Sequence, residues 1–163
     1  MDRITDFSPL LKTTPRPIAI HDLYLHPLAE IPVNGGPVLH MLRADSPLFQ
    51  GFGEIYFSLV EAGAVKAWKR HKRQTQFFAV PSGLVQVVVF DSRHDSPSQG
   101  GLAQVLLGRP GYYALLRIPP GLWYGFTSRE GAVLANCADI PHDPQESDRL
   151  PADTPTIPFQ WII

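Results

Sequence analysis

The chain has 163 residues, with 14 Lys and Arg against 15 Asp and Glu and a formal net charge of −1 at pH 7. A chain of this length can bury a core as one domain, and its near-neutral charge favours neither nucleic acid nor a membrane surface as a partner. Its single cysteine, Cys137, excludes an internal disulfide and predicts a reducing, cytoplasmic location. The N-terminal stretch holds no apolar run of signal length, and no segment is apolar enough to predict a membrane helix.

Proline and glycine interrupt the chain at short intervals, so no window predicts an amphipathic helix of more than two turns. The runs between them are rich in Val, Ile, Leu, Phe and Tyr, which is typical of strands. Between an irregular N-terminal arm (1–16) and a polar, Pro-rich C-terminal tail (141–163), strands are predicted at 17–28, 37–44, 53–60, 64–70, 76–82, 84–92, 103–108, 112–119, 121–128 and 131–139. This pattern predicts an all-β jelly-roll barrel that forms a single domain over 1–163.

Two predicted strands are apolar enough to be placed in the core. The run from Val85 to Phe90 is apolar on both faces, which predicts a strand covered on both sides. Cys137 follows Leu134 in another apolar strand, and we expect it to be a buried structural thiol.

The segment from Gly63 to Gly83 carries a basic cluster, with five of the 14 Lys and Arg residues in the eight positions from Lys66 to Arg73. A local cluster in a near-neutral chain predicts a small anionic ligand. Because residues two apart on a strand face the same side, Lys69 and His71 should project together with Ala67. If Ala67 faces a barrel interior, both side chains point into the cavity near its mouth.

The same segment has the spacing of the first cupin motif, G-x5-H-x-H-x4-E-x6-G. Its four site positions hold Lys69, His71, Gln76 and Gly83. The second motif, P-x-G-x2-H, appears at 119–124 with Tyr124 in place of the histidine. The chain therefore resembles the cupin superfamily, but Lys, Gln and Tyr are poor ligands for Fe, Mn or Zn, and one imidazole does not hold a catalytic metal. We expect a site without metal or another cofactor.

Within the cupins, residues 50–161 are similar to the metal-free nucleotide-sugar enzymes, which include dTDP-4-dehydrorhamnose 3,5-epimerase and the dTDP-4-keto-6-deoxyhexose 3,4-ketoisomerases. The similar segments are VVVFDSRHDSPSQG, IPPGLWYGF and DIPHDP, followed by Asp153 and Trp161. The epimerase's base, a histidine, aligns in or beside Lys69, the aspartate that holds it aligns with Asp153, and its acid tyrosine falls near Ala135. The ketoisomerases carry H-A-H-K, of which His71 and Lys72 remain.

The resemblance implies a role for each candidate residue, beside which an ordinary structural role stays open. His71 is the expected base, Tyr124 the acid, and Lys69 the group that polarises a keto oxygen or anchors phosphate. Arginine binds phosphate through paired hydrogen bonds, which suits a diphosphate. The expected binding residues are Lys66, Arg70, Arg73, Gln76, Tyr56 and Trp123. The structural alternatives are a turn histidine, solvated basic residues that protect a sheet edge, and aromatic residues of the core.

Three functions compete at this point. The resemblance favours an isomerase or epimerase that moves a proton α to the carbonyl of a nucleotide-linked 4-keto sugar. The alternatives are a non-catalytic cupin that binds a small anionic or sugar ligand, and a metal-dependent cupin oxygenase or isomerase. The expected partner is a small molecule, with no nucleic acid and no membrane. The resembling enzymes also imply a homodimer paired through N-terminal strands, for which the apolar stretch 18–25 needs cover.

Overall fold

A computed structural model describes residues 15–163, and within them the chain forms thirteen strands and one short 3-10 helix. In chain order the elements are β1 (Arg16–Ile18), β2 (Ile20–Pro27), β3 (Glu30–Ile31), β4 (Val38–Leu39), β5 (Glu54–Val60), β6 (Val65–His71), β7 (Gln76–Ser82), β8 (Leu84–Asp91), β9 (Leu102–Gly108), β10 (Ala114–Ile118), β11 (Leu122–Thr127), β12 (Ala132–Ala138), the 3-10 helix (Pro144–Glu146) and β13 (Ser147–Arg149).

Two antiparallel sheets form the body of the molecule. The six-stranded sheet has the order β1-β2-β10-β7-β12-β5, and the five-stranded sheet has the order β13-β6-β11-β8-β9. Strands β3 and β4 make a separate two-stranded ribbon. Apart from β1-β2 and β8-β9, neighbours in these two sheets are not consecutive in the sequence, as a jelly roll requires, and the all-β cupin fold predicted from the sequence is confirmed.

The core lies between the two sheets and draws on both of them. On β8, Val85, Val87 and Val89 point into this core, whereas Val88 and Phe90 point to the opposite face. That outer face is also covered, by Trp68, Trp123 and residues of the C-terminal segment. The prediction that β8 is buried on both sides is confirmed, and Cys137 is buried as expected.

Near the N-terminus, the structure corrects the predicted boundaries. Residues 1–14 of the predicted arm lie outside the described residues, and Arg16 already belongs to β1. The predicted strand at 17–28 is two strands, β1 and β2, with Ala19 between them at a φ of 45°. The predicted strand at 37–44 shortens to Val38–Leu39, because Met41 and Leu42 instead pack on the outside of the six-stranded sheet.

The C-terminal segment is more than the polar tail that its composition predicted. It supplies β13, which pairs with β6, and its apolar side chains cover the outer face of the five-stranded sheet. Trp161 packs on Trp68 with ring centroids 5.1 Å apart, and Ile157 is buried. Apolar residues between prolines thus find a partner surface that the local sequence does not reveal. No helix within residues 15–163 is long and apolar enough to cross a membrane.

Candidate active site

A cavity of about 490 Å³ opens between the two sheets. The outward-facing and inward-facing residues of β5 alternate, so that Tyr56 and Ser58 line the cavity from the six-stranded sheet together with Phe78 and Leu134. The opposite wall comes from β6, β11 and β13 and consists of Val65, Lys66, Ala67, Trp68, Lys69, Tyr124, Phe126, Arg149 and Leu150. The predicted site residues Lys66, Lys69, Tyr124 and Tyr56 therefore share one cavity.

Three polar side chains of this wall stand in one row across neighbouring strands. Tyr124 of β11 is paired with Lys69 of β6, and Lys69 is paired with Arg149 of β13. Neither cation makes an ion pair within 4.0 Å among residues 15–163. Burial lowers the pKa of Lys69, and the positive charge of Arg149 lowers it further. The row therefore presents to a ligand a phenol and two cations that have no ion-pair partner within the described residues.

A bulge explains why Lys66 joins this wall. On β11, Tyr124 and Phe126 are two residues apart, yet their partners on β6 are Lys69 and Lys66, which are three apart. The extra residue shifts the alternation of β6, so that both lysines line the same cavity. Ala67, expected to project with Lys69, lines the cavity and also packs against the outer cluster.

Tyr124 is the first of three titratable side chains that form a buried hydrogen-bonded chain. Nε2 of His71 lies 3.0 Å from Oη of Tyr124, and Nδ1 of His71 lies 2.6 Å from Oε2 of Glu146. The His71 side chain is 4% exposed and that of Glu146 is 2% exposed. The imidazole and phenol rings are nearly parallel, with an interplanar angle of 8°. His71 itself is not among the residues that line the cavity.

Glu146 is held in place by the turn that follows β6. Its Oε1 accepts hydrogen bonds from the backbone N–H groups of Arg73 at 2.6 Å and Gln74 at 2.8 Å, and its own carbonyl accepts from Lys72 N. Asp143 caps the 3-10 helix by accepting from Gln145 N. The basic turn and the C-terminal segment are thereby joined around one carboxylate.

Burial shifts the pKa values of this chain of residues in different directions. Burial alone would raise the pKa of Glu146, but hydrogen bonds from Arg73, Gln74 and His71 bring it below its usual value. Burial lowers the pKa of His71, and the opposing effect of Glu146 does not restore it. Burial raises the pKa of Tyr124 well above its usual value. At neutral pH the set is a carboxylate, a neutral imidazole and a protonated phenol.

Tyr56 is fixed by a second buried network on the opposite wall. Asn136 Nδ2 donates to Tyr56 Oη at 2.8 Å and to Gln76 Oε1 at 2.5 Å, while Gln76 Nε2 donates to Gln74 Oε1 at 2.7 Å. Both ends of the Gln76 amide are therefore used inside the protein, and its side chain does not line the cavity. Burial raises the pKa of Tyr56. The network holds the phenol of Tyr56 towards the cavity.

Three more of the predicted binding residues lie away from the cavity wall. Arg70 stacks on Trp123, 4.5 Å from its ring centroid, and pairs with Asp148 at 2.8 Å on the outer face. Arg73 lies on the exposed turn, 3.5 Å from Asp143. Successive side chains of β6 point to opposite faces, so Arg70 faces away from the cavity that Lys69 faces. A role in substrate binding stays a prediction for Arg70, Arg73, Trp123 and Gln76.

The structure also brings in two residues that the sequence did not single out, Glu146 and Arg149. The carboxylate beside the histidine is Glu146, whereas Asp153, which the alignment placed there, is exposed. Glu146 is 75 residues from His71, and the pairing of β13 with β6 brings the two segments together. The only available signal was a run of charged residues within the Pro-rich tail, which composition alone assigns to solvent.

The positions of the cupin metal ligands hold side chains that are engaged otherwise. Both ring nitrogens of His71 have partners, Glu146 and Tyr124, and the Gln76 amide is bonded to Gln74 and Asn136. Across residues 15–163 no group of three or more His, Cys, Asp or Glu side chains is arranged to hold a metal ion. A site that works without metal stays our prediction, now with these hydrogen bonds as its physical basis.

A jelly-roll cavity that combines cations with buried titratable groups suits an enzyme that moves a proton on an anionic ligand. No protein-family model matches the chain. It is 32% identical to the probable low-salt glycan biosynthesis epimerase of Haloferax volcanii over 87% of this chain and 94% of that protein, and 30% identical to a spore coat polysaccharide biosynthesis protein of Bacillus subtilis over 74% and 82%.

Solved structures agree with these relatives. A dTDP-sugar isomerase from Desulfovibrio desulfuricans G20 has a TM-score of 0.86 and 58% identity, with 87% of this chain and 92% of that chain covered. A dTDP-4-dehydrorhamnose 3,5-epimerase from Sulfolobus tokodaii, at 19% identity and a TM-score of 0.80, shares the fold over 93% and 86%. The chain belongs to a family of sugar epimerases and isomerases with the cupin fold, as its motifs predicted, and it shares that fold with the dTDP-4-dehydrorhamnose 3,5-epimerases.

Proposed function

We propose that this protein is an isomerase or epimerase that acts on a dTDP-linked 4-keto sugar by moving a proton at a carbon next to the carbonyl. The observation that carries the proposal is the row of Tyr124, Lys69 and Arg149 in one cavity, with Tyr124 joined to buried His71 and Glu146. This row supplies proton transfer and cationic binding at the same place. The names of the similar proteins, among them a dTDP-sugar isomerase, support the same chemistry.

In this mechanism the cations have two tasks. The ammonium group of Lys69, beside Tyr124, stabilises the negative charge that develops on the keto oxygen when the α-proton leaves. Arg149 and Lys66, which also line the cavity, bind the diphosphate of the nucleotide. Tyr56 lies on the opposite wall and packs against the sugar or the base. The Tyr124 and His71 pair moves the proton.

Solvent-proton exchange tests this proposal. The wild-type protein is incubated in deuterium oxide with a panel of nucleotide-linked 4-keto sugars, and deuterium incorporation is followed by mass spectrometry and nuclear magnetic resonance. We expect exchange next to the carbonyl of a dTDP-linked sugar, with no metal added. Binding of the sugar nucleotides without any exchange would instead identify a non-catalytic binding protein.

A homodimer is a second part of the proposal. The sequence predicted that the apolar stretch 18–25 needs cover from a second copy. That reason is wrong, because Ile20 and Leu23 are buried in the protein's own core. One exposed apolar surface lies on the outer face of edge strand β5, where Phe57 is 64% exposed and Leu59 is 68% exposed. We expect wild-type dimers in light scattering at micromolar concentration and monomers for Phe57→Glu. A monomeric wild type would contradict the dimer.

A cytoplasmic location completes the proposal. The thiol of Cys137 is free and buried, which suits a reducing compartment. Fractionation of cells that express the tagged full chain tests it, and recovery of the protein outside the cytoplasm would contradict it.

A further inference from the structure

Tyr124 stands between His71 and the cavity. Tyr124 lines the cavity wall, whereas His71 does not, and the imidazole Nε2 is occupied by the Tyr124 hydroxyl at 3.0 Å. The two rings lie almost parallel, and Phe78 packs edge-on against the phenol with ring centroids 5.4 Å apart. A substrate in the cavity therefore meets the oxygen of Tyr124 before it meets any nitrogen of His71.

The hydrogen bonds define where the protons lie in this group. An ionised Glu146 can only accept, so the short contact at 2.6 Å places a proton on Nδ1 of His71. The Nε2 atom of a neutral imidazole is then an acceptor, and the Tyr124 O–H donates to it. The lowered pKa values of Glu146 and His71 agree with these charge states. The remaining lone pair of the phenol oxygen is free to face the cavity.

We propose that Tyr124 is the group that exchanges the proton with the sugar, and that His71 and Glu146 act through it as a proton relay; this rests on the proposed function. The bond between the α-carbon and its hydrogen breaks, and that proton bonds to the Tyr124 oxygen. The original Tyr124 proton passes to Nε2 of His71, and the electron pair of the broken bond forms an enolate on the former keto oxygen. The steps run in reverse to return a proton to carbon.

Each member of the relay has a distinct task. Tyr124 is the catalytic residue, because its oxygen takes the proton from carbon. His71 stores the displaced proton as an imidazolium, whose charge is balanced by the buried Glu146 carboxylate. Glu146 is a positioning residue, which fixes the ring through the Nδ1–H bond and is itself held by Arg73 N and Gln74 N. In the simpler mechanism, His71 takes the proton directly and Tyr124 acts separately on the carbonyl oxygen.

A double-mutant cycle separates the two mechanisms. Tyr124→Phe, His71→Asn and the double variant are compared with wild type for deuterium exchange, kcat and KM with a dTDP-linked 4-keto sugar. We expect each single variant to lose about 10²–10⁴-fold in the rate of deuterium exchange. Because groups that act as one unit give non-additive losses, the double variant should exchange within about threefold of the less active single variant. Affinity for dTDP and the melting temperature serve as checks on folding.

Asp148, which lies next to Arg149 on β13, provides a matched control for Glu146. Glu146→Gln removes a buried charge beside His71. We expect kcat to fall about 10–100-fold with little change in KM, a loss of the size seen when a residue that orients a metal-bound histidine is changed. Asp148→Asn removes the same charge from the outer side of β13, where it pairs with Arg70, and should stay within about twofold of wild type. A normal kcat for Glu146→Gln would contradict the role of Glu146.

Two results would overturn the relay while leaving the proposed function intact. One is wild-type exchange by Tyr124→Phe, because His71 or another base would then reach the carbon unaided. The other is a double variant whose fold loss in exchange equals the product of the two single losses, because groups that act independently give multiplicative losses. Absence of exchange by the wild type with every keto sugar would overturn the proposed function and the relay with it.

Discussion

Two buried carboxylates, Asp91 and Glu146, have different partners, and only Glu146 belongs to the proposed relay. Asp91 ends β8 and is fully buried, and it accepts hydrogen bonds from the guanidinium and backbone N–H of Arg93 and from the hydroxyls of Ser96 and Ser98. Every one of these donors keeps its charge state at neutral pH. Asp91 therefore anchors the loop that follows β8 and has no proton to exchange.

Glu146 has nearly the same burial but a different set of partners. Two of its donors are backbone N–H groups, and the third is His71, whose charge can change near neutral pH. Through His71, this carboxylate reaches the phenol of Tyr124 at the cavity. Burial and full hydrogen bonding are therefore common to both carboxylates. What separates them is that one partner of Glu146 can titrate, and the proposed relay depends on that partner.

The largest effect that we expect outside the relay is on stability, from Asp91→Asn. Asparagine leaves the guanidinium of Arg93 without its buried partner and turns two acceptors into one, at a cost of about 3 kcal/mol in the free energy of unfolding. Urea or thermal unfolding measures this cost. The kcat per folded molecule should match wild type, because Asp91 does not touch the cavity. A large loss of kcat with unchanged stability would contradict the structural role of Asp91.

The pH dependence of that stability has a definite sign. Side-chain hydrogen bonds from Arg93, Ser96 and Ser98 outweigh burial and hold the pKa of Asp91 far below its usual value. The stabilisation is therefore complete above the unfolded-state pKa of about 3.9 and is lost as the pH falls towards the folded-state pKa. We expect the stability gap between wild type and Asp91→Asn to narrow below about pH 4, and a gap that widened there would contradict this account.

A smaller effect is expected for Arg149, which β13 carries into the cavity three residues after Glu146. Arg149→Gln removes a charged hydrogen-bond donor to the diphosphate, worth about 1.5 kcal/mol, so the Kd for dTDP should rise about tenfold with less effect on kcat. Isothermal titration calorimetry measures the affinity. Arg129→Gln, at an exposed arginine that does not line this cavity, is the matched control. Equal dTDP affinities for the Arg149→Gln and Arg129→Gln variants would contradict a role of Arg149 in binding the diphosphate.

The smallest effect is expected in the neutral pH range, in which Asp91 and Glu146 both stay ionised because their pKa values are lowered. Burial lowers the pKa of His71, which faces Glu146, Lys69, His142 and Tyr124, so the imidazole is already neutral above its ordinary pKa of about 6.5. Accepting a proton from Tyr124 needs this neutral form. We expect kcat to change by less than about twofold between about pH 8 and 6.5 and to decline only below. A decline that began above about pH 7 would contradict a lowered pKa.

The sequence by itself determined the all-β architecture and the buried strand β8, because prolines and glycines end every run early and because short strand periodicity is a local property. It also placed Lys69, His71 and Tyr124 together, since the two cupin motifs lie on paired strands β6 and β11. Residue spacing within a motif fixes the relative positions of its side chains on a strand, so this part of the site could be predicted from the sequence.

Only the tertiary structure decided the rest of the site. The bulge on β6 turns Lys66 and Lys69 to the same side, and strict alternation along a strand cannot predict it. Arg149 lines the cavity, and Glu146 lies behind His71, because β13 pairs with β6 over a long sequence separation, within a segment whose composition predicts an irregular tail. Side chains such as Arg70 and Gln76 found partners inside the protein instead. Contacts between distant segments depend on which surfaces the whole fold leaves uncovered, and no local pattern records that.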